Sequence, residues 1–306
     1  GQIGGGKNKS NGIIDIDMVQ SMDLTDGVDD RIADYGFVIV DECHHVGAVS
    51  FEKVLSQVKA KYVLGLTATP YRRDGHQPII HMQCGPVSHR IKQKDLSAHI
   101  SASWIFPRVT DFEHAWNDDI KIQDVSSRMI EDMARNQLIV QDVVESLSEG
   151  RFPLILTERR EHLEILAKLL ESKVEVLFQL HGGVRQKARR EAFEKIKECP
   201  EDCRKVILAT GSYIGEGFDA PRLDTLFLTM PSSFKGKIVQ YAGRLHRYHK
   251  DKTDIRIYDY VDKKVSVLER MFQRRLKTYK MLGYEVKSND TELLFGDRLS
   301  NEHVQG

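Results

Sequence analysis

Val38-Ile39-Val40-Asp41-Glu42-Cys43-His44-His45 decides how this chain is read. Apolar residues run straight into two adjacent carboxylates, and two histidines follow. A buried strand that ends in Asp-Glu places acidic groups at the carboxyl edge of its sheet, where open α/β sheets bind ligands. Magnesium prefers one or two carboxylates and completes its shell with waters and phosphate oxygens, so the pair suits that ion on a nucleotide. A neighbouring carboxylate can take a proton from an attacking water. The plain alternative is a solvated acidic pair closing a strand.

Three further runs carry chemistry. Gly65-Leu66-Thr67-Ala68-Thr69-Pro70-Tyr71-Arg72-Arg73-Asp74-Gly75 sets two hydroxyls just past another short apolar run, beside the acidic pair if both strands share a sheet. Ile207 to Pro221 is a strand opening into a loop with Gly211, Gly215 and Gly217, suited to close approach by phosphate or sugar. Gln240-Tyr241-Ala242-Gly243-Arg244-Leu245-His246-Arg247 would, on one continuous helix, set Gln240, Arg244 and Arg247 on a common face. Two guanidiniums there could clamp charge on a transferring phosphoryl group. The bland counterparts are a capped turn, a long loop and a basic solvent face.

Between these runs the pattern alternates, as in a parallel α/β sheet. Strands are expected at Ile13–Met18, Phe37–Asp41, Tyr62–Leu66, Val87–Ile91 and His99–Phe106, with a helix at Ser50–Val58. A polar, acidic stretch, Asp111–Asp124, reads as a linker. One long helix, Ser126–Glu149, stops at Gly150. A second series follows: strands Pro153–Thr157, Val174–Leu180, Lys205–Thr210, Thr225–Thr229 and Ile255–Tyr260, with helices Arg160–Ser172, Arg185–Lys197 and Lys235–Leu245. A charged helix, Val265–Leu282, closes the ordered part.

Composition limits the alternatives. Apolar residues make up 41% and charged residues 29%, and Lys+Arg and Asp+Glu each number 45, so only local clustering of charge can argue for nucleic acid. No apolar run reaches the ~18 residues of a membrane span, and the N-terminus is not a signal peptide. Cys199 and Cys203 could form half a metal site, but no second pair follows, and the four cysteines read as reduced thiols of a cytosolic protein. Gly1-x4-Gly6-Lys7 approaches a phosphate loop but lacks a preceding strand, and Asn8 replaces the hydroxyl residue.

Taken in order, Asp-Glu-x-His, Thr-Ala-Thr, Ala-Thr-x8-Asp-x-Pro and Gln-x2-Gly-Arg-x2-Arg resemble motifs II, III, V and VI of the superfamily 2 helicases and translocases. Pro153–Leu170 looks like motif IV. The wording from Gly65 to Gly75 is most similar to the branch holding restriction-enzyme translocase subunits and DNA-repair helicases. That resemblance covers roughly residues 1–265 and implies two RecA-like parallel-sheet domains, the first incomplete at its N-terminus. The implied layout is residues 1–110 for the latter part of domain 1, 111–125 for a linker, 126–265 for domain 2 and 266–306 for a helix and tail. It implies ATP and magnesium as cofactors, with Asp41 holding the metal and Glu42 activating water. His44, Thr67 and Thr69 would couple the nucleotide to domain movement, and Gly217 and Asp219 would meet the sugar and phosphates. Arg244 and Arg247 would be arginine fingers with Gln240 beside them, and Thr157 and Thr210 would touch nucleic-acid backbone.

The sequence departs from the family where Tyr241 stands for a common arginine and His246 for a common glycine. The family's phosphate-loop motif is not found, so the expectation is a fragment, inactive alone, of a protein that is an ATP hydrolase when intact. DNA is favoured over RNA as the partner, with no membrane, a cytoplasmic location (nuclear in a eukaryote), and room for a nuclease or other subunit outside this chain. Arg185, Lys187, Arg189 and Arg190, and Arg270, Arg274, Arg275, Lys277 and Lys280, are two basic groups that could track phosphates. The rivals are an RNA helicase of the same superfamily and an ATP-independent binding module with relic motifs.

Overall fold

The computed structural model of this chain describes residues 1–24, 27–45, 49–67, 77–90, 100–117, 119–183, 186–200, 203–211, 220–231 and 235–287. It divides into two units, Gly1–Ile91 and Lys92–Gly306.

The first unit opens on β1 (Gln2–Gly4) and β2 (Lys7–Lys9), an antiparallel hairpin whose turn, Gly5-Gly6, has positive φ at both positions. The glycine run that approaches a phosphate-loop pattern is therefore a hairpin, with β3 (Ile16–Asp17) parallel to β1 on the other side. The strand expected over Ile13–Met18 shrinks to those two residues; Ile13 and Ile14 are exposed. Then come α1 (Val19–Met22), a short pairing of β4 (Asp23–Leu24) with β5 (Gly27–Val28), and β6 (Phe37–Val40). After α2 (Val49–Leu55), β7 (Tyr62–Gly65) lies parallel to β6, and α3 (Gln77–Cys84) follows.

Val38, Val40 and Val63 pack with Phe51, Leu55 and Ile80 on one side of this strand pair. The alternate residues Phe37, Ile39, Tyr62 and Leu64 are 53%, 56%, 58% and 39% exposed. The strands expected to be buried on both sides are covered on one among the described residues, because α2 and α3 supply packing to a single face.

The second unit is built on seven strands. β8 (Ala102–Val109) is followed by α4 (Ile122–Glu131), α5 (Met133–Ser148), β9 (Pro153–Thr157), α6 (Arg160–Leu170), β10 (Val176–Leu180), α7 (Gln186–Glu198) and β11 (Lys205–Thr210). β12 (Thr225–Leu228), α8 (Lys235–Leu245), β13 (Asp254–Val261), α9 (Ser266–Met281) and β14 (Glu285–Val286) complete it. The order is β10-β11-β9-β12-β13-β8-β14, and every pairing is parallel. All residues of β9, β11 and β12 are buried, as continuous apolar runs in a doubly covered parallel sheet should be. Ile139, Val143, Leu163 and Leu166 cover one face, and Ile238, Tyr241, Leu245 and Tyr279 the other.

Three expectations change here. Residues 102–109, given by the sequence to the first domain, pair with β13 along their whole length, and the division between units falls at Ile91 rather than within 111–125. No strand forms over residues 87–90, and 91 lies outside the described residues. The single helix expected over Ser126–Glu149 is two, because Asp132 (φ −70°, ψ 105°) leaves helical geometry and its carboxylate accepts the Arg135 N–H at 2.8 Å as an N-cap. Among the described residues no helix is long and apolar enough to cross a membrane.

The unit also buries charge, and pairs it. Arg275 grips Asp259 through two hydrogen bonds of 2.7 and 2.8 Å, with Tyr279 Oη donating to the same carboxylate at 2.9 Å. Arg135 Nε donates to Asp262 at 2.8 Å, and Arg108 holds Asp142 at 2.9 Å. Arg275, expected in a phosphate-tracking group, is thus an internal tie between α9 and β13. Removing one member strands the other charge in the core. Arg275→Ala is expected to destabilise the second unit by about 3–5 kcal/mol, read as a lowered urea midpoint; an unchanged midpoint would refute the tie.

Candidate nucleotide and nucleic-acid sites

In the first unit the carboxyl ends of β6 and β7 are stitched together. The Leu66 N–H donates to Val40 O at 2.8 Å and the Cys43 N–H to Leu66 O at 2.9 Å. Asp41 and Glu42 sit in the turn so formed. Glu42 has φ +47°, the left-handed region that a non-glycine residue occupies at a cost of about 1–3 kcal/mol. Its N–H donates to Asp41 Oδ1 at 2.9 Å, which fixes the first carboxylate at the sheet edge.

His44 Nδ1 lies 3.0 Å from Thr67 Oγ1 and 3.2 Å from Glu42 Oε2. One ring nitrogen is therefore within contact distance of both the Glu42 carboxylate and the first hydroxyl of the Thr-Ala-Thr run. Thr69 lies outside the described residues.

In sequence Cys43 is only the spacer of the Asp-Glu-x-His run. It is 3% exposed and packs with Cys84 beneath the turn. A Cβ on Gly65 would come 2.8 Å from Cys84 Cβ and 3.0 Å from Cys43 Sγ, so the strand ends on glycine to admit both sulfurs. Burial pushes both thiols up, Cys84 to about 11; they act as small apolar groups here. The signal available in sequence was a glycine closing an otherwise bulky apolar strand.

In the second unit the parallel register pairs Thr210 directly with Thr157 at the sheet's carboxyl edge. The structure brings the two expected backbone contacts together but buries them, at 9% and 1% exposure. Thr157 Oγ1 lies 2.9 Å from His162 Nδ1, and His162 Nε2 lies 2.9 Å from Asn136 Oδ1. Asn136 Nδ2 donates at 2.8 Å to Ile130 O in the last turn of α4. With the Asn136 amide nitrogen committed there, its oxygen must accept, so His162 carries its proton on Nε2 and accepts the Thr157 hydroxyl at Nδ1. Burial, then the nearby Arg135 guanidinium, pushes His162 down to about 3.

Gln240 and Arg244 lie on α8, half-buried. Arg247 does not share their helix, which ends at Leu245; it is exposed in the following turn, its N–H donating to Arg244 O at 3.4 Å. The common helical face expected of all three fails for that reason. Gly217 and Asp219 lie outside the described residues. The two departures from the family pattern turn out to be core residues. Tyr241 is 4% exposed with its hydroxyl against Gly211 at the end of β11, where any Cβ would collide with it. Burial, then the Glu158 carboxylate, raises its phenol. His246 is 6% exposed, its Nε2 3.2 Å from Tyr284 Oη.

Residues 3–72 match the family described as Type III restriction enzyme, res subunit, and residues 135–249 match the helicase conserved C-terminal domain. A protein named as helicase 161L in Invertebrate iridescent virus 6 is 33% identical over 267 residues, covering 83% of this chain and 57% of its own length. One named as ATP-dependent RNA helicase L396 in Acanthamoeba polyphaga mimivirus is 25% identical over 284 residues, covering 89% of this chain and 52% of its own. The chain thus spans about half the length of the curated relatives it matches. Among solved structures, S. cerevisiae Dbp5 bound to RNA and ADP BeF3 aligns with TM-score 0.59 at 12% identity, over 94% of this chain and 69% of that one. The ATP-dependent Type ISP restriction-modification enzyme LlaBIII bound to DNA gives TM-score 0.60 at 15% identity, over 92% and 24%. The fold is that of RecA-like helicase domains. By motif order and by both family matches, the chain belongs to the superfamily 2 helicases and translocases.

Two outcomes test the second-unit geometry. Gly211→Ala should lower the melting temperature by several degrees, and the added Tyr241→Phe, which removes the colliding oxygen, should recover most of that loss; no recovery would place the strain elsewhere. His162 stays neutral in the fold down to about 3, whereas its unfolded value is 6.5. The unfolded chain therefore binds the extra proton, and stability falls as pH drops from 6.5 towards 3. Melting temperatures measured at pH 7 and pH 5 should show a smaller drop for His162→Gln than for the parent.

Proposed function

We propose that the intact protein is an ATP-dependent nucleic-acid motor, a helicase or duplex translocase, in which ATP hydrolysis between two RecA-like domains drives movement along a strand. The observation that carries this reading is the His44 bridge, 3.0 Å to Thr67 and 3.2 Å to Glu42, at the carboxyl edge of a parallel strand pair. A change in the occupancy of the acidic pair would reach the Thr67 segment through one imidazole.

The residues present suit magnesium. Asp41 is an exposed hard-oxygen donor, and its fixed Oδ1 leaves the rest of the carboxylate open to a cation that keeps waters and phosphate oxygens. Bound there, the ion would neutralise charge on the phosphates of ATP. Glu42 takes the proton of the attacking water, and Arg244 and Arg247, with Gln240 beside them, stabilise the charge that develops on the transferred phosphoryl group. Gly217 and Asp219 meet the sugar and phosphates, and Thr69 joins His44 and Thr67 in coupling. Because their side chains are buried, Thr157 and Thr210 act on nucleic acid through the backbone they hold at the sheet edge.

DNA is the favoured track, from the wording of Gly65 to Gly75. RNA is the second reading, favoured by the name of the mimivirus relative. The test is ATP hydrolysis by the full-length protein with duplex DNA, single-stranded DNA or RNA added. Stimulation by DNA above RNA is expected, with Glu42→Gln lowering kcat by about 10²–10⁴-fold and Arg247→Ala by about 10³-fold or more. Hydrolysis indifferent to both substitutions would sink the motor reading.

A further inference from the structure

Helix α9 has two unlike faces. Inward, Leu268, Phe272, Leu276 and Tyr279 are buried, and the Arg275–Asp259 pair clamps the helix to β13. Outward, Arg270, Arg274, Lys277 and Lys280 are all exposed, and Glu269 is the one exposed carboxylate of the helix. Positions 270, 274 and 277 follow the i, i+4, i+7 spacing of a single face, and Lys280 extends it by a further turn. Elsewhere in this unit arginines are tied down: Arg108, Arg135, Arg151, Arg222 and Arg256 each hold a carboxylate. Among the described residues, none of the four outward cations of α9 is in an ion pair.

A stripe of like charge on a rigidly anchored helix repels itself unless something opposite lies against it. From Arg270 to Lys280 it runs about 15 Å along the axis, roughly the rise of four phosphates on one strand. Long cationic side chains with no described carboxylate paired to them suit phosphodiesters, and such contacts position a chain without reading its bases.

We infer that this face of α9 is a second nucleic-acid surface, gripping phosphodiester backbone away from the strand-end motifs. It lies outside the segment 135–249 that matches the helicase C-terminal family. The inference rests on the nucleic-acid motor reading above and adds to it a contact that holds the track independently of sequence and of the nucleotide.

The test uses the full-length protein and a variant carrying Arg270→Gln, Arg274→Gln, Lys277→Gln and Lys280→Gln. Glutamine keeps helix propensity, and all four sites are exposed, so the melting temperature should hold. Binding to labelled oligonucleotides of unrelated sequences is measured across a salt series. Each lost phosphate contact should reduce the slope of log K against log salt by about 0.9 on duplex and about 0.7 on single strands. The expected reduction is therefore about three to four, equal across sequences, with ATP hydrolysis in the absence of nucleic acid unchanged. Lys168→Gln with Lys173→Gln, two exposed cations elsewhere on the unit, should leave the slope unaltered.

An unchanged slope in the fourfold variant, with the parent binding normally, overturns the α9 surface and leaves the motor reading standing. An equal loss per charge in the Lys168/Lys173 control reduces the effect to net charge and also overturns it. Unchanged oligonucleotide binding with lost binding of polyglutamate would assign the stripe to an acidic protein instead. A parent that binds no nucleic acid under any salt overturns both readings.

Discussion

Parallel strands all end on the same side of their sheet, and that constraint organises both units. Val40 pairs with Gly65 and Thr157 with Thr210, so residues far apart in sequence finish at a common edge. The backbone past each strand end must still find hydrogen-bond partners. In the first unit it does so by the Val40–Leu66–Cys43 stitching, which turns the chain sharply enough to put Glu42 in the left-handed region and His44 within reach of Thr67. The chemistry is a consequence of where the strands stop. Strain at Glu42 persists because the carbonyls and amides on either side are already committed.

The second unit is held by a different means at its flank. β13 carries Asp259, and Asp262 lies just past its end; β8 and β14 follow outside it. Burying these carboxylates would be prohibitive alone, and each is met by a guanidinium from another element: Arg275 on α9, Arg135 on α5. Bidentate geometry also sets orientation, because a planar fork on a planar carboxylate fixes rotation about the pair. The pairing at Asp259 thus decides which face of α9 is buried, and so which cations are left outside. The network at Arg135 stands one residue before Asn136, whose amide joins the broken end of α4 to His162 and Thr157.

Much of this fold was legible in the residues. β9 and β11 fall on their expected boundaries because a short apolar run between turn residues has few other solutions, and α8 does so on the helical spacing of Ile238, Tyr241, Ala242 and Leu245. What was missed turned on partners that sequence does not reveal. Asp132 interrupts a continuous helical period, and its capping of Arg135 becomes decisive only once α4 and α5 take separate packing sites. The strand read at His99–Phe106 forms instead at Ala102–Val109, and its sheet was settled by β13, which lies far along the chain. Arg275 belongs by spacing to a basic group and by burial to Asp259. In the first unit the apolar character of Phe37, Ile39, Tyr62 and Leu64 predicted two covered faces, and composition alone could not say that the described packing is one-sided.

The site was legible in a narrower sense. His44 Nδ1 stands close to both Glu42 and the first Thr-Ala-Thr hydroxyl, because strand ends concentrate whatever follows them. The arginine-bearing run is harder, since its helix stops at Leu245, inside the motif, and leaves Arg247 to a turn. Its two unusual residues explain how such variation is tolerated. Tyr241 and His246 point into the core rather than towards the face that holds Arg244, and each contacts a residue that accommodates it: Gly211, which has no Cβ to obstruct the phenol, and Tyr284, whose hydroxyl meets the imidazole. A motif position that faces inward is constrained by its packing neighbour, so it can change identity when that neighbour changes with it. Half-buried Gln240 and Arg244 and exposed Arg247 have no such freedom if they must meet a phosphate, and these are the positions that match the family's motif.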